Sequence, residues 1–398
     1  MRCALALVAL LAGCEKLRAI PGVEPRSALG PPAPPPVAMG PWILDPGPAQ
    51  ATVCWVTDQP SAGRVWYGQA SADHLAREEG PPVTDHRVVV HGLSPATQYR
   101  YAIEGTAAGG IFTSAPEAGA QGPFQVLVYG DNRTNSGDHS LVVRAASAER
   151  VQLALHTGDM VVNARDPRLW HEWFREEADL LSRLPFIATV GNHEMTDDGV
   201  SYSKYFQRRD RPPYWSVDYG PVHIVVLDSF ERVASASAHS AGVSDAQRAW
   251  VEEDVRAVPK DRHLWALVHQ GPYAHPAHLR SASHGGSEAV KSMLEAARKL
   301  HPIEAVFAGH EHFYERGEIN GFRYFVLGGG GAPLEDPDPT FPGVQAAHKA
   351  LSYAVIEVCG CNARGTVKDI EGRIIDSFQL ASCPTPCGAP ALAKDAGP

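Results

Sequence analysis

The chain has 398 residues, with 35 Lys and Arg against 45 Asp and Glu, a formal net charge of −10 and no basic cluster. That balance argues against nucleic acid as a standing partner, and the length allows two or three domains with ample cores. Taken in order, residues 1–14 read as an export signal: Arg2 is a minimal positive start, and Ala4–Ala12 is an apolar run too short to span a bilayer. Leu11-Ala12-Gly13-Cys14 matches the bacterial lipobox, so Cys14 is expected to become the lipidated first residue. The alternative is an ordinary signal peptide with an incidental cysteine. The expected location is therefore the bacterial cell envelope, with the chain exported and held at a membrane through a lipid on Cys14. Residues 15–40 are proline-dense and read as a stiff, extended tether.

Residues 41–115 read as all-β. Thr52–Thr57, Arg64–Tyr67, His86–Leu93, Gln98–Glu104 and Gly110–Thr113 are short β-rich runs divided by Gly, Pro, Ser and Asp. Leu93-Ser94-Pro95-Ala96-Thr97-Gln98-Tyr99 resembles the tyrosine corner of fibronectin III sandwiches, and Trp55 is expected in the core. From about Gln121 apolar strands alternate with helical periodicity at Asp138–Glu149, Arg168–Arg183, Ser244–Val258 and Ser287–Leu300. Ser244 and Ser287 are expected N-caps, each followed by an acid that suits the helix dipole. This alternation implies an α/β sandwich over 121–335. The remainder, 336–398, reads as a hairpin of strands Leu351–Val358 and Arg373–Leu380, flanked by Cys359, Cys361, Cys383 and Cys387. Four cysteines allow three pairings; a zinc site is the rival, and export favours disulfides. Cys54 is expected as a buried free thiol.

Five apolar runs end in polar tips. Phe124–Gly130 ends in Asp131-Asn132-Arg133 and Val151–Thr157 in Gly158-Asp159. Pro185–Val190 ends in Gly191-Asn192-His193-Glu194, Leu264–Val268 in His269, and Ala305–Ala308 in Gly309-His310-Glu311-His312. Strand ends that deliver Asp, Asp, Asn, His and His-x-His form a metal-ligand set assembled from distant positions.

These motifs resemble the calcineurin-like metallophosphoesterases, and within them the purple acid phosphatases, over roughly residues 41–335. The resemblance implies an α/β sandwich catalytic domain preceded by an all-β fibronectin III-like sandwich. It also implies two divalent or trivalent metal ions (Fe, Zn or Mn) about 3.5–4 Å apart, supplying a nucleophilic hydroxide and positive charge for a phosphate ester. Asp159 would be shared by both ions, with Asn192, His269 and His310 completing one site and Asp131 and His312 serving the other. His193 would contact the phosphate or protonate the leaving group, or else orient a neighbour. Among the loop histidines His275, His278 and His284, the third fits the family pattern best as a catalytic contact.

Two positions depart from the pattern. Arg133 stands where the family has Gly or a ligating His; it suits phosphate, or a surface salt bridge. Val162 stands where a tyrosinate would sit, which puts an Fe(III)–tyrosinate site in doubt. The ligand so lost is sought in His139, expected in the first turn of the following helix, with water as the alternative. The expected activity is hydrolysis of phosphate monoesters. Its rivals are a phosphodiesterase acting on nucleotides or phospholipids, and a cell-surface binding module with a decayed site.

Overall fold

The computed structural model describes residues 35–207, 212–231, 242–277 and 284–383. Cys14, the signal, most of the proline tether, His278 and Cys387 lie outside the described residues. No helix among the described residues is long and apolar enough to cross a membrane.

The first domain is a sandwich of two antiparallel sheets. One holds β1 (Val37–Leu44), β2 (Gln50–Ser61) and β5 (Val83–His91), in the order β1-β2-β5. The other holds β3 (Arg64–Gly68), β4 (His74–Arg77), β6 (Gln98–Ile103) and β7 (Gly109–Thr113), in the order β4-β3-β6-β7. Period-two alternation turns Val53, Trp55, Val88 and Val90 inward from one sheet to meet Val65, Tyr101, Ile103 and Phe112 from the other. Tyr99 closes the corner, its hydroxyl accepting the Ser94 N–H at 2.8 Å.

The expected tether boundary at residue 40 is corrected, because β1 begins at Val37. The Gly40-Pro41 pair hides this strand in the sequence, since it reads as more proline-rich linker. In the fold, Met39, Trp42 and Leu44 bury against the helices of the second domain, and the Trp42 indole donates to the Tyr205 carbonyl at 2.9 Å. Arg87 donates to the carbonyls of Lys204 (2.8 Å) and Gln207 (2.9 Å), fastening the sandwich to the same region.

The second domain packs two sheets face to face. In the first, β8 (Pro123–Tyr129), β9 (Leu153–His156) and β10 (Phe186–Ala188) run parallel. In the second, the strands in chain order are β11 (Trp215–Tyr219), β12 (Val222–Leu227), β13 (His263–Val268), β14 (Ala305–Ala308), β15 (Tyr314–Ile319), β16 (Phe322–Leu327) and β17 (Val344–His348). They pair in the order β11-β12-β13-β14-β16-β15-β17, with β12, β13, β14 and β16 parallel. Val126, Val128 and Leu155 meet Ile224, Leu267, Phe307 and Phe325 between the sheets. The outer face of the first sheet is covered by α1 (Ser136–Ser147), α2 (Pro167–Glu176), α3 (Ala178–Leu181) and α4 (Val200–Phe206). That of the second is covered by α5 (Asp245–Ala257) and α6 (Glu288–Ala297). Burial on both faces is why β9 and β13 are apolar almost throughout rather than alternating. Ser244 and Ser287 cap α5 and α6, accepting from the amides of Gln247 and Val290.

The C-terminal region is not an appended hairpin. Strand β18 (Ser352–Cys359) pairs antiparallel with β8 in the middle of the first sheet, followed by β19 (Asn362–Asp369) and β20 (Ile374–Ala381). The domain therefore extends past residue 335. This pairing joins residues more than 220 apart, and nothing local in the sequence marks it. Cys361 and Cys383 form a disulfide, Cys359 is also disulfide-bonded, and Cys54 is buried and free. Cys359, Cys361 and Cys383 are thus in bridges and not in a zinc site.

Candidate metal centre

All five polar tips meet at one edge, three from the carboxyl ends of the first sheet's parallel strands and two from the second's. Asp131, Asp159 and His310 leave their strands with φ of 59°, 57° and 74°, a left-handed backbone that non-glycine residues seldom adopt. Each of these, and Asn192, follows a glycine. A Cβ on Gly309 would stand 2.1 Å from Asp131 Oδ2, and one on Gly191 2.2 Å from Asp159 Oδ1. At Gly309 and Gly191 the backbone presses against a neighbouring carboxylate, at Gly130 against the Thr157 hydroxyl and at Gly158 against the His269 ring.

The site has two lobes that share Asp159. In the first, the His269 Nδ1–H donates to the Thr157 carbonyl at 2.6 Å, which turns Nε2 toward the centre. That nitrogen lies 3.3 Å from Asp159 Oδ1, 3.1 Å from Asn192 Oδ1 and 3.3 Å from His310 Nδ1. Asn192 Oδ1 is 3.0 Å from the same His310 nitrogen. Donor atoms bound about 2.0–2.1 Å from a tetrahedral centre stand roughly 3.3–3.4 Å apart, so this spacing fits one cation well.

The second lobe is wider. The His312 Nδ1–H donates to the Pro333 carbonyl at 2.9 Å, and its Nε2 sits 3.9 Å from Asp131 Oδ1. Arg133 reaches into this lobe: Nε donates to Asp159 Oδ2 at 3.0 Å and Nη2 to His312 Nε2 at 2.9 Å. The buried charges respond to one another. Burial pushes the Asp131 carboxyl up to about 8, helped by the Asp159 charge. Burial also works against an ionised Asp159, but His269, His193 and Arg133 outweigh it and hold that carboxyl well below the usual range. Burial and then Arg133 bring His312 down to about 4, so it presents a neutral ring.

This geometry has relatives. Residues 124–314 match the family model of calcineurin-like phosphoesterases. The chain carries a calcineurin-like metallophosphoesterase domain. It is 26% identical over 317 residues to a purple acid phosphatase of Glycine max, covering 71% of this chain and 66% of that protein. It is 25% identical over 247 residues to the Fe(3+)-Zn(2+) purple acid phosphatase 12 of Arabidopsis thaliana, covering 56% of this chain and 50% of that one. The chain thus spans just under two thirds of the first relative and half of the second. The fold is similar to that of a purple acid phosphatase from yellow lupin (Lupinus luteus) seeds, with a TM-score of 0.71 at 18% identity, over 89% of this chain and 78% of that one.

Within the metallophosphoesterase domain the structure gathers Asp131, Arg133, Asp159, Asn192, His193, His269, His310 and His312. The His193 Nδ1–H donates to the Val162 carbonyl at 2.7 Å, and its Nε2 lies 3.8 Å from Asp159 Oδ2, with the ring partly open to solvent. His284 stacks on His310 at 5.7 Å between ring centroids and is held by Glu311 through Nδ1 at 3.2 Å. His275 stands apart, bonded to Glu315 at 2.8 Å and stacked on Phe341.

His139 is a correction. It does occupy the first turn of α1, but its ring faces α2: Nδ1 lies 2.8 Å from Glu176 and Nε2 2.7 Å from Glu177. Both nitrogens are taken, so His139 does not complete the second lobe. Burial opposes its charge, yet the hydrogen bonds and charges of the two carboxylates prevail and lift its pKa from 6.5 to about 9. A pKa raised on folding stabilises fully below the unfolded value and is lost as pH climbs through the folded one. The urea stability gap between wild type and His139→Gln should therefore be widest near pH 6 and shrink by pH 9.5. A gap independent of pH would contradict the charged assignment.

Glu194 is the functional residue that sequence reasoning passed over. Its buried carboxylate accepts the amides of Asp159 (2.9 Å), Gly191 (2.9 Å), Met160 (2.9 Å) and Val161 (3.4 Å), tying two ligand loops together. Its place in Gly191-Asn192-His193-Glu194 was visible; the four amides aimed at it were not.

Proposed function

We propose that this chain hydrolyses phosphate monoesters at a dinuclear metal centre. The observation that carries the reading is the first lobe, where Asp159, Asn192, His269 and His310 converge with cation spacing and His269 holds Nε2 inward. Asp131, Asp159 and His312 would hold the second ion. When bound, the ions would supply an acidified water and positive charge for the phosphoryl oxygens. The similarity to purple acid phosphatases supports the same reading.

The chain's own groups fit the remaining tasks. The Val162 carbonyl fixes His193 so that Nε2 faces the centre, where a protonated ring can donate to a phosphate oxygen or to the leaving group. Arg133 carries a planar fork matched to phosphate. His284, oriented by Glu311, borders the same edge beside His310. Iron, zinc and manganese all suit the donor set, and one relative is named for Fe(3+) and Zn(2+). Val162 offers no phenolate, which argues against a tyrosinate-bound iron. Parallel assays of an aryl phosphate monoester and the matching diester test the substrate class. Faster turnover of the monoester is expected, and preference for the diester would replace the reading with a phosphodiesterase.

Export and lipid anchoring at Cys14 belong to this proposal too, resting on Leu11-Ala12-Gly13-Cys14. Membrane fractionation should retain wild type and release Cys14→Ser. A mature chain that mass spectrometry shows without lipid would refute the anchor.

A further inference from the structure

Resting on that reading of the site as a metal centre, we infer that Arg133 is an internal cation that competes with the second metal ion, so that the two lobes load unequally. The first lobe meets an entering ion with its donors already spaced for it. The second does not. A neutral imidazole nitrogen has one lone pair, and that of His312 Nε2 already accepts from Arg133 Nη2 at 2.9 Å. The tautomer cannot relieve this, because Nδ1–H is committed to the Pro333 carbonyl at 2.9 Å. Arg133 Nε also binds Asp159 Oδ2 at 3.0 Å, the oxygen turned toward the second lobe. A guanidinium stays charged at any working pH, so it cannot step aside by losing a proton.

An ion entering between Asp131, Asp159 and His312 must therefore break two hydrogen bonds of the guanidinium and stand beside its charge. The side chain has somewhere to go. A cleft of about 130 Å³ adjoins the centre, lined by Arg133 itself with Val162, Leu169, Glu172 and Glu176. Displaced toward it, the guanidinium remains at the edge of the site, where it can take up a phosphate oxygen. The same residue would thus keep the second lobe charge-balanced when that lobe is ion-free and serve the substrate when it is filled.

Binding of Mn2+ to the full chain, followed by equilibrium dialysis and isothermal titration, tests this without relying on turnover. Wild type should show one tight ion and a second bound at least about tenfold more weakly. Arg133→Ala should tighten the second step by about tenfold or more and leave the first nearly unchanged. Arg133→Met, which keeps the packed stem without the charge, should do the same; retention of the tight step shows that either variant is folded. Asn192→Ala should remove the tight step. Two ions of equal affinity in wild type, or a second step unmoved in both Arg133 variants, would overturn the inference and leave the proposed function standing. Absence of any bound ion would overturn both.

Discussion

Asp159→Ala is expected to lower turnover of an aryl phosphate by roughly 10³-fold or more while the protein stays folded, with several kcal/mol of transition-state stabilisation lost. Asp159 is the one carboxylate shared by both lobes. Oδ1 faces His269 and also accepts the His193 amide at 3.1 Å, and Oδ2 faces Arg133. Its removal therefore takes a carboxylate oxygen from each lobe and frees Arg133 and His193. The fold should survive, because the loop is held by other means: the Asp159 and Met160 amides donate to Glu194, and the Asn132 amide donates to the Asp159 carbonyl. Removing one of two crowded carboxylates also relieves repulsion on Asp131. Circular dichroism together with steady-state rates checks both halves. A variant that retains a tenth of wild-type turnover would mean that the shared carboxylate is not central.

Glu194→Ala should act on the other side of the ledger, costing about 4 kcal/mol of stability. Four backbone amides lose their acceptor at once, in a place fully closed to solvent. Burial, helped by the Asp159 charge, pushes the Glu194 carboxyl up to about 7, against the opposing pull of His269 and of those amides. Truncation should lower the melting temperature by roughly 10 °C and loosen Asp159 and Asn192 together. Metal affinity should then fall along with stability, although Glu194 touches no donor position. A melting temperature within about 2 °C of wild type would show that water replaces the carboxylate without loss.

Much of this site was legible because chemistry and periodicity coincide. An apolar run that ends in Gly-Asp, Gly-Asn-His or Gly-His-x-His states both a strand and what leaves its carboxyl end, and all five runs stand where expected. The α/β sandwich was legible from the alternation of strands and helices; the strand order was not. Strand β18 enters the sheet beside β8 through a pairing that no local pattern encodes, and β1 was hidden by the Gly40-Pro41 pair. His139 shows another limit: its place in the first turn of α1 followed from the sequence, but the side of the helix that it faces depends on where Glu176 and Glu177, at the end of α2, lie. The groups that orient the ligands escaped for a related reason. His269, His312 and His193 are each held by a backbone carbonyl, from Thr157, Pro333 and Val162, and a carbonyl has no residue type to read. Arg133 was visible as a departure from the family pattern, yet its contact with His312 required two strand ends from different sheets to be brought together.

The most direct test of the central claim is metal content measured beside turnover, on the purified chain, before and after exhaustive chelation. The account predicts bound transition metal in the active protein, loss of aryl phosphate hydrolysis as the metal leaves, and recovery when zinc, manganese or iron is restored. Undiminished hydrolysis by a chain shown to hold no metal would contradict it.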